Sequence, residues 1–334
     1  MSTRRAFITL LGGAAVATSV LLPSSARGQQ PARVRRVAVL MSLAADDPEG
    51  QSRLTAFAQG LQEFGWTEGR SARIEYRWAA GDADRIRKYA AELVALAPDV
   101  ILASGTPSVI SLRQLTRTLP IVFVQVADPV GAGFVESLAR PGGNVTGFTN
   151  FEYSMSAKWP ELLKEIAPRV RRAAVLRDET SVAGVGQFAA IQSVASSLGV
   201  ELKPLGVHDS GEIERGVIAF AGQPDGGLIV TQSGPAIFHR ELIIRLAAQH
   251  RLPAVYSLRN DVTHGGLISY GPNSIEPYLH AARYVDRILK GEKPADLPVQ
   301  AATTIELVLN LKTARALGLD MPPTLLARAT EVIE

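Results

Sequence analysis

The sequence predicts an α/β protein of two Rossmann-like lobes with parallel sheets, and three observations carry that prediction. First, short apolar runs alternate with helix-length amphipathic segments from Arg36 onward, the pattern of parallel sheets covered on both faces. Second, three strand-like phrases occur twice in the same order. Arg35-Arg36-Val37-Ala38-Val39-Leu40 returns as Arg171-Arg172-Ala173-Ala174-Val175-Leu176. Pro98-Asp99 with its apolar run to Ser104-Gly105 returns as Pro224-Asp225 with a run to Ser233-Gly234, and Leu119-Pro120-Ile121-Val122-Phe123 returns as Leu252-Pro253-Ala254-Val255-Tyr256. Third, 334 residues, 46% hydrophobic and 20% charged, suffice for two domains, each with its own core. Two such lobes leave a cleft between them, and a cleft of this kind takes a ligand.

The elements follow in order. Residues 1–28 read as an export signal. Thr3-Arg4-Arg5-Ala6-Phe7 is a basic start of twin-arginine type, Phe7 to Leu22 is apolar, and a small-residue stretch allows cleavage after Ala26 or Gly28. The general secretory route is the alternative. The expected location is therefore the periplasm. Val37–Met41 is long enough for a buried strand. Residues 50–64 place Leu54, Phe57, Leu61 and Phe64 at helical spacing, with Gly65 as the stop. Ala72–Trp78 alternates as a strand, Asp82–Leu96 is helical, and Val100–Ala103 and Ile121–Val124 are buried strands flanking a helix over about 107–117. In the second half the strands are Ala173–Leu176, Glu201–Leu205, Leu228–Val230, Ala254–Tyr256 and Leu267–Tyr270. The helices between them cover 184–198, 211–221 and 236–250. Glu276–Lys290 is a further amphipathic helix stopped by Gly291, and Thr304–Leu309 is a late strand followed by a short helix to Leu317. Crossings between lobes are expected at 141–150, 265–272 and beyond Gly291. Lobe one is then 34–147 plus 273–298, and lobe two 148–272 plus 299–334.

Composition excludes several function classes. The chain has no cysteine, which removes disulfides, thiol catalysis and thiolate metal sites. Residues 1–28 hold Arg4, Arg5 and Arg27 and no acid. The 35 basic residues of the whole chain thus fall to 32 after cleavage, equal to its 32 acids, and nothing points to nucleic acid. The five histidines lack zinc-site spacing, and neither a Gly-x-Ser-x-Gly elbow nor a phosphate loop occurs. Gly184-Val185-Gly186-Gln187-Phe188-Ala189 resembles a dinucleotide fingerprint but starts several residues after its strand, so it reads as a small-residue helix start. No catalytic residue, metal or cofactor is expected.

Ligands of open parallel sheets bind beyond the carboxyl ends of the strands, so the loops there supply the candidate contacts. In lobe one these are Ser42 after the first strand, Ser104, Gly105 and Thr106 after the third, and Asp128 after the fourth. Pro107 suits the first helical position, which makes Thr106 the expected N-cap of a helix start open to a carboxylate. Gln232 and Ser233, before Gly234-Pro235, repeat that polar–Gly–Pro character. Asp128 and Asp178 compete as partners for a ligand ammonium, with turn-fixing as the alternative for Asp128. Tyr256 and Tyr270 end strands and either stack on a ligand or close the core. Asn150 and Phe151 lie at the first crossing and are expected to line the cleft floor, with Asn150 a further candidate ligand contact.

Several further phrases resemble a known family. They include Phe57-x-x-Gly60-Leu61-x-x-x-Gly65-Trp66-x-x-Gly69, Ile74-Glu75-Tyr76-Arg77, Gly105-Thr106-Pro107, Pro120-Ile121-Val122-Phe123 and Asp128-Pro129-Val130. Arg140-Pro141-Gly142-Gly143-Asn144-Val145-Thr146-Gly147, Tyr284-x-x-x-Ile288-Leu289-x-Gly291 and Asn310-Leu311-Lys312-Thr313-Ala314-x-x-Leu317-Gly318 complete the set. Together they resemble the periplasmic substrate-binding proteins of ABC transporters, tryptophan/tyrosine type, over about residues 36–333. The resemblance implies the type I periplasmic binding architecture, with three crossings and lobes that close on a small ligand. It also implies delivery to a permease and ATPase, with amino-acid ligands near the positions of Thr106 and Asp128. The loop Arg177-Asp178-Glu179-Thr180 departs from the Asn-Pro loop frequent in such relatives. The expected function is solute binding for import, by a monomer. A ligand-sensing subunit of a membrane receptor and an exported α/β enzyme using Asp128 or Asp178 are the alternatives.

Overall fold

The apolar runs build two separate sheets in the computed structural model, which describes residues 33–149 and 153–334. The export segment, Asn150 and Phe151 lie outside the described residues. The first lobe alternates β1 (Arg35–Met41), α1 (Pro48–Glu63), β2 (Ala72–Trp78), α2 (Ala83–Ala95), β3 (Val100–Ser104), α3 (Thr106–Leu115), β4 (Ile121–Val126) and β5 (Val145–Thr149). The second runs through a short 3-10 turn at Tyr153–Ala157, α4 (Lys158–Ile166), β6 (Arg172–Arg177), α5 (Val182–Ala195), β7 (Glu201–Gly206) and α6 (Ser210–Ala221). It continues with β8 (Gly226–Val230), α7 (Gly234–Phe238), α8 (Arg240–Gln249), β9 (Ala254–Tyr256), α9 (Arg259–Thr263) and β10 (Ile268–Pro272). The chain returns to the first lobe for α10 (Glu276–Leu289) and β11 (Gln300–Ala301). It ends in the second with β12 (Ile305–Asn310), α11 (Leu311–Leu317), α12 (Pro323–Arg328) and β13 (Glu331–Ile333).

The first sheet has the order β11-β5-β4-β3-β1-β2 and every pairing in it is parallel. The second has the order β13-β12-β10-β9-β8-β6-β7, parallel except where β12 runs antiparallel to β10. The common core order, fifth-fourth-third-first-second, is what the repeated phrases encode. A parallel strand is covered on both faces, so its residues are apolar without alternation. In β1, Val37, Val39 and Met41 face α1 and α10 through Leu54, Phe57 and Tyr278. Ala38 and Leu40 face α2 and α3 through Ile86, Leu93 and Leu112. The second lobe repeats the arrangement, with Ala173 and Val175 against Trp159 and Ile191, and Ala174 and Leu176 against Val217 and Ile243.

Three details differ from the sequence reading. The segment around 145–149, expected as a crossing, is the buried strand β5, and Gln300–Ala301, expected in the second lobe, pairs with it at the edge of the first sheet. The chain therefore passes from the first sheet to the second lobe between Thr149 and Tyr153, and between the sheets again at 273–275 and at 302–304. The helix expected over 236–250 breaks at His239 into α7 and α8. The N-cap of α3 is Gly105, not Thr106. Gly105 takes φ 82° and ψ 155°, a conformation that disfavours any side chain, and Thr106 becomes the first helical residue.

Candidate functional site

The carboxyl ends of the central strands of both sheets face one another, and the polar residues there form the candidate site. In the first lobe, Ser104 ends β3 fully buried, shares a 2.7 Å hydrogen bond with the Tyr278 hydroxyl and lies 3.3 Å from the Ser42 hydroxyl. Ser42 and Thr106 are half-buried at the surface of this face. The N–H of Gly105 donates to Val124 at 2.9 Å, which anchors the start of α3 to the neighbouring strand. No side chain caps α3, so its first N–H groups are open to a bound acceptor. Asp128 accepts the Gly131 N–H at 2.7 Å and so braces its own turn. Its charge is also felt by Tyr153 at the entry to the second lobe. Burial first, and Asp128 second, push that phenol above its ordinary range.

In the second lobe, Asp178 accepts from the N–H of Thr180 at 3.0 Å and from its hydroxyl at 2.6 Å, again a brace for its own loop. Ser233 caps α7 by accepting the Ala236 N–H at 3.2 Å. Gln232 is held on both sides by the buried Gln187, which accepts its N–H at 2.8 Å and donates to its carbonyl at 3.1 Å. Tyr270 is half-buried and lines a shallow recess with Ser154, Met155, Lys158 and Glu161, and its carbonyl accepts the Trp159 indole N–H at 2.7 Å. Tyr256 is a correction to the expected site. Its ring is buried within the Ala174–Leu176–Val217–Ile243 cluster and packs on Gly266, so it closes the core instead of facing the cleft. Burial, then the Asp261 charge, pushes its phenol upward.

The sequence reading missed the residues that join the two faces. Gln125, at the end of β4, adopts φ 59°, unusual for a residue with a side chain. From there it donates to the Ser274 carbonyl at 3.2 Å and accepts from Gln232 of the opposite lobe at 3.5 Å. Beside it lies a buried ionic group. Glu49 accepts from Arg53 at 2.6 Å and from the Ser274 hydroxyl, and Arg53 lies over the Tyr278 ring. Burial acts to raise the Glu49 pKa, but Arg53, Ser274 and Arg240 outweigh it and hold the carboxyl below the usual range. Arg240 donates to Asp261 at 3.0 Å and approaches Asp47 to 4.0 Å. Burial pushes Asp261 up to about 6 against the pull of Arg240.

This arrangement offers hydroxyls, amides, open N–H groups and fixed charges. Among the described residues no group of three or more acids or histidines could hold a metal ion, and no helix is long and apolar enough to cross a membrane.

Comparison with known proteins agrees along nearly the whole described chain. The sequence model of a family described as "ABC transporter substrate binding protein" matches residues 36–333. The chain is 26% identical over 264 residues to the "Tyrosine-binding protein" of Clostridioides difficile (strain R20291), covering 79% of this chain and 76% of that one. Among solved structures, a domain from Streptococcus pneumonia in complex with L-Trp superposes with a TM-score of 0.82 at 26% identity, covering 90% of this chain and 99% of the other. A ligand-free, open substrate-binding protein with adhesive properties from Clostridium difficile gives 0.67 at 25% identity, with the same coverage. The chain as a whole thus superposes better on the tryptophan complex than on the open relative. The fold is that of the type I periplasmic binding proteins.

Proposed function

The chain belongs to the ABC transporter substrate-binding protein family, and on that premise we propose that it binds an amino acid, aromatic by preference, between its lobes and delivers it to a membrane permease. The family is one of binding proteins, not enzymes. The permease is driven by an ATPase, and the binding protein works as a periplasmic monomer exported through its Arg4-Arg5-x-Phe7 signal. One observation carries the reading. The uncapped start of α3 and the Asp128 turn follow the carboxyl ends of the paired parallel strands β3 and β4, a pairing of donors and charge that suits the carboxylate and ammonium of an amino acid. Support for an aromatic side chain comes from relatives described with tyrosine or tryptophan.

A thermal-shift screen of the purified protein tests this. The panel holds aromatic and branched amino acids, aromatic carboxylates, nucleosides and sugars. A ligand that binds only the folded state raises Tm by mass action. The expected result is a shift with L-tryptophan, L-tyrosine or L-phenylalanine. Silence from every amino acid, with a shift from another class, discards the amino-acid reading.

A further inference from the structure

We propose that Tyr278 is a positioning residue of the binding site: backed by the buried Arg53, it fixes the protons of Ser104 and Ser42 in one direction, so that the Ser42 hydroxyl meets the ligand as a donor and selects a carboxylate over its neutral amide. Every group in this row belongs to the first lobe. Tyr278 on α10 and Arg53 on α1 are both buried. The Tyr278 hydroxyl lies 2.7 Å from Ser104 Oγ at the end of β3, and Ser104 Oγ lies 3.3 Å from Ser42 Oγ just past β1. Ser104 is fully buried and Ser42 half-buried, so the row runs from the core out to the strand-end face.

A hydroxyl both donates and accepts, and distance alone leaves each proton free to point either way. Arg53 removes that freedom, because a guanidinium has donors and no acceptor. It lies 5.8 Å from the centre of the Tyr278 ring and acts on the hydroxyl both as a charge and as a hydrogen-bond donor. The Tyr278 oxygen therefore accepts from Arg53, and its proton turns to Ser104. Burial pushes the phenol above its ordinary range against the pull of Arg53, so that proton stays on the oxygen. Ser104, accepting from Tyr278, donates to Ser42, and Ser42 keeps its own proton for what lies outside. Glu49, accepting from Arg53 at 2.6 Å, holds the guanidinium at the head of the row.

What lies outside is the start of α3. A Cβ built on Gly105 would stand 3.7 Å from Ser42 Oγ and 3.8 Å from Pro107 Cδ, so the glycine leaves one small space shared by the Ser42 hydroxyl and the first turn of the helix. No side chain caps that turn. Its Ser108 is fully buried and the hydroxyl has no partner among the described residues, the kind of unsatisfied group that calls for a partner from outside the chain. The helix N–H groups only donate, and Ser42, directed by Tyr278, also donates. A carboxylate offers acceptors to both. A primary amide offers one acceptor oxygen and an NH2 group whose protons find no acceptor here. The selection acts on the carboxylate end of the ligand proposed for the cleft and rests on that reading.

The test compares acid with amide. Calorimetry measures L-tryptophan, L-tryptophanamide, indole-3-propionate and indole-3-propionamide on the parent protein, Tyr278→Phe, Ser42→Ala and the double variant. The parent is expected to bind each acid at least about tenfold more tightly than its amide, the worth of one hydrogen bond to a charged group. Tyr278→Phe keeps the ring but lets Ser42 turn its proton inward and accept from an amide, so the acid-to-amide ratio should fall roughly three- to tenfold. Ser42→Ala should lower the ratio as well, and adding Tyr278→Phe should then change it no further, because Tyr278 acts through Ser42. A merely structural Tyr278 would weaken acid and amide alike; an unchanged ratio in Tyr278→Phe, or additive effects in the double variant, overturns the proposal. Ser42 is half-buried, so its variant keeps the test decisive should Tyr278→Phe fail to fold, and an unchanged ratio in Ser42→Ala overturns the proposal too. If L-tryptophan is silent and indole-3-propionate binds, the amino-acid reading falls while the acid preference is still measured. A parent that binds L-tryptophan and its amide equally removes this inference alone, and one that binds no acid of this set or of the thermal-shift panel removes both.

Discussion

Replacing Gly105 by alanine separates backbone conformation from steric space at the candidate site. Gly105 sits at φ 82° and ψ 155°, in a region essentially reserved for glycine. A Cβ built there would meet Ser42 Oγ at 3.7 Å and Pro107 Cδ at 3.8 Å, both ordinary contacts. The cost is therefore backbone strain alone, about 1–3 kcal/mol. Gly147 provides the contrast. It too has positive φ, 155°, but a Cβ there would lie 2.1 Å from the Phe123 carbonyl oxygen and 2.6 Å from its nitrogen. Those are backbone atoms of the adjacent strand, so β4 and β5 would have to part. Gly147→Ala should cost more than about 4 kcal/mol, the range of severe core damage, or abolish folding. Urea unfolding of both variants measures the difference. Gly105→Ala should also displace Ser104 and the start of α3, and so weaken ligand by calorimetry while the fold persists. The reasoning fails if Gly105→Ala is as stable as the parent, or as damaged as Gly147→Ala.

Two further outcomes follow from the buried charges and the cleft face. Asp261, raised to about 6 in the fold, binds its proton more tightly folded than unfolded. Its contribution to stability is complete below its ordinary value and lost as pH rises through about 6. Relative to Asp261→Asn, the parent should gain about 2–3 kcal/mol between pH 7 and pH 4; a difference in urea stability that is flat with pH, or grows as pH rises, would contradict the assignment. In the cleft, Asp128→Asn keeps an acceptor for the Gly131 N–H but removes the charge, and Thr106→Ala removes a hydroxyl beside the open helix start. Each should weaken an amino-acid ligand by about 1.5–3 kcal/mol or less with little change in ligand-free Tm, and a large fall in Tm would mark these residues as structural.

What the sequence made legible was whatever burial on both faces forces to be apolar. Val37–Met41, Val100–Ala103 and their repeats in the second lobe could be read because nothing polar fits between two helical layers. β5 escaped because its solution is different. Thr146 is buried by donating to the Leu297 carbonyl at 2.6 Å, and Gly147 is present to let the next strand approach, so the run lacks an apolar signature. The strand-end rule put Ser42, Ser104, Thr106 and Gln232 at or just beyond the carboxyl ends of β1, β3 and β8, a position that follows from topology alone. It misplaced Tyr256, because a strand's last residue can still point into the helical layer. The Glu49–Arg53 pair carried a readable sign that went unused. Glu49, Arg53 and Phe57 recur at four-residue steps, which puts two charges on the buried stripe of an amphipathic helix. Arg240 and Asp261 left no such sign, since their pairing and the approach to Asp47 are made only by tertiary folding.

The two lobes share a topology, and the differences between them assign their roles. The dinucleotide-like phrase in the second lobe is a packing device: a Cβ at Gly184 would strike the Asp178 carbonyl at 1.9 Å, and one at Gly186 would meet the Tyr153 ring at 2.7 Å. At the matching helix starts, Ser233 satisfies an N–H of α7 with its own side chain, whereas Gly105 leaves those of α3 unspent. A ligand carboxylate under the proposed function therefore belongs to the first lobe, where the donors are still available. The second lobe, its helix start already capped, contributes the amide of Gln232 and the guanidinium of Arg240 from just beyond that cap. Carboxylate binding thus falls to the first lobe, and substitution at Thr106 should weaken an amino-acid ligand more than substitution at Ser233, whose hydroxyl is already spent on its own helix.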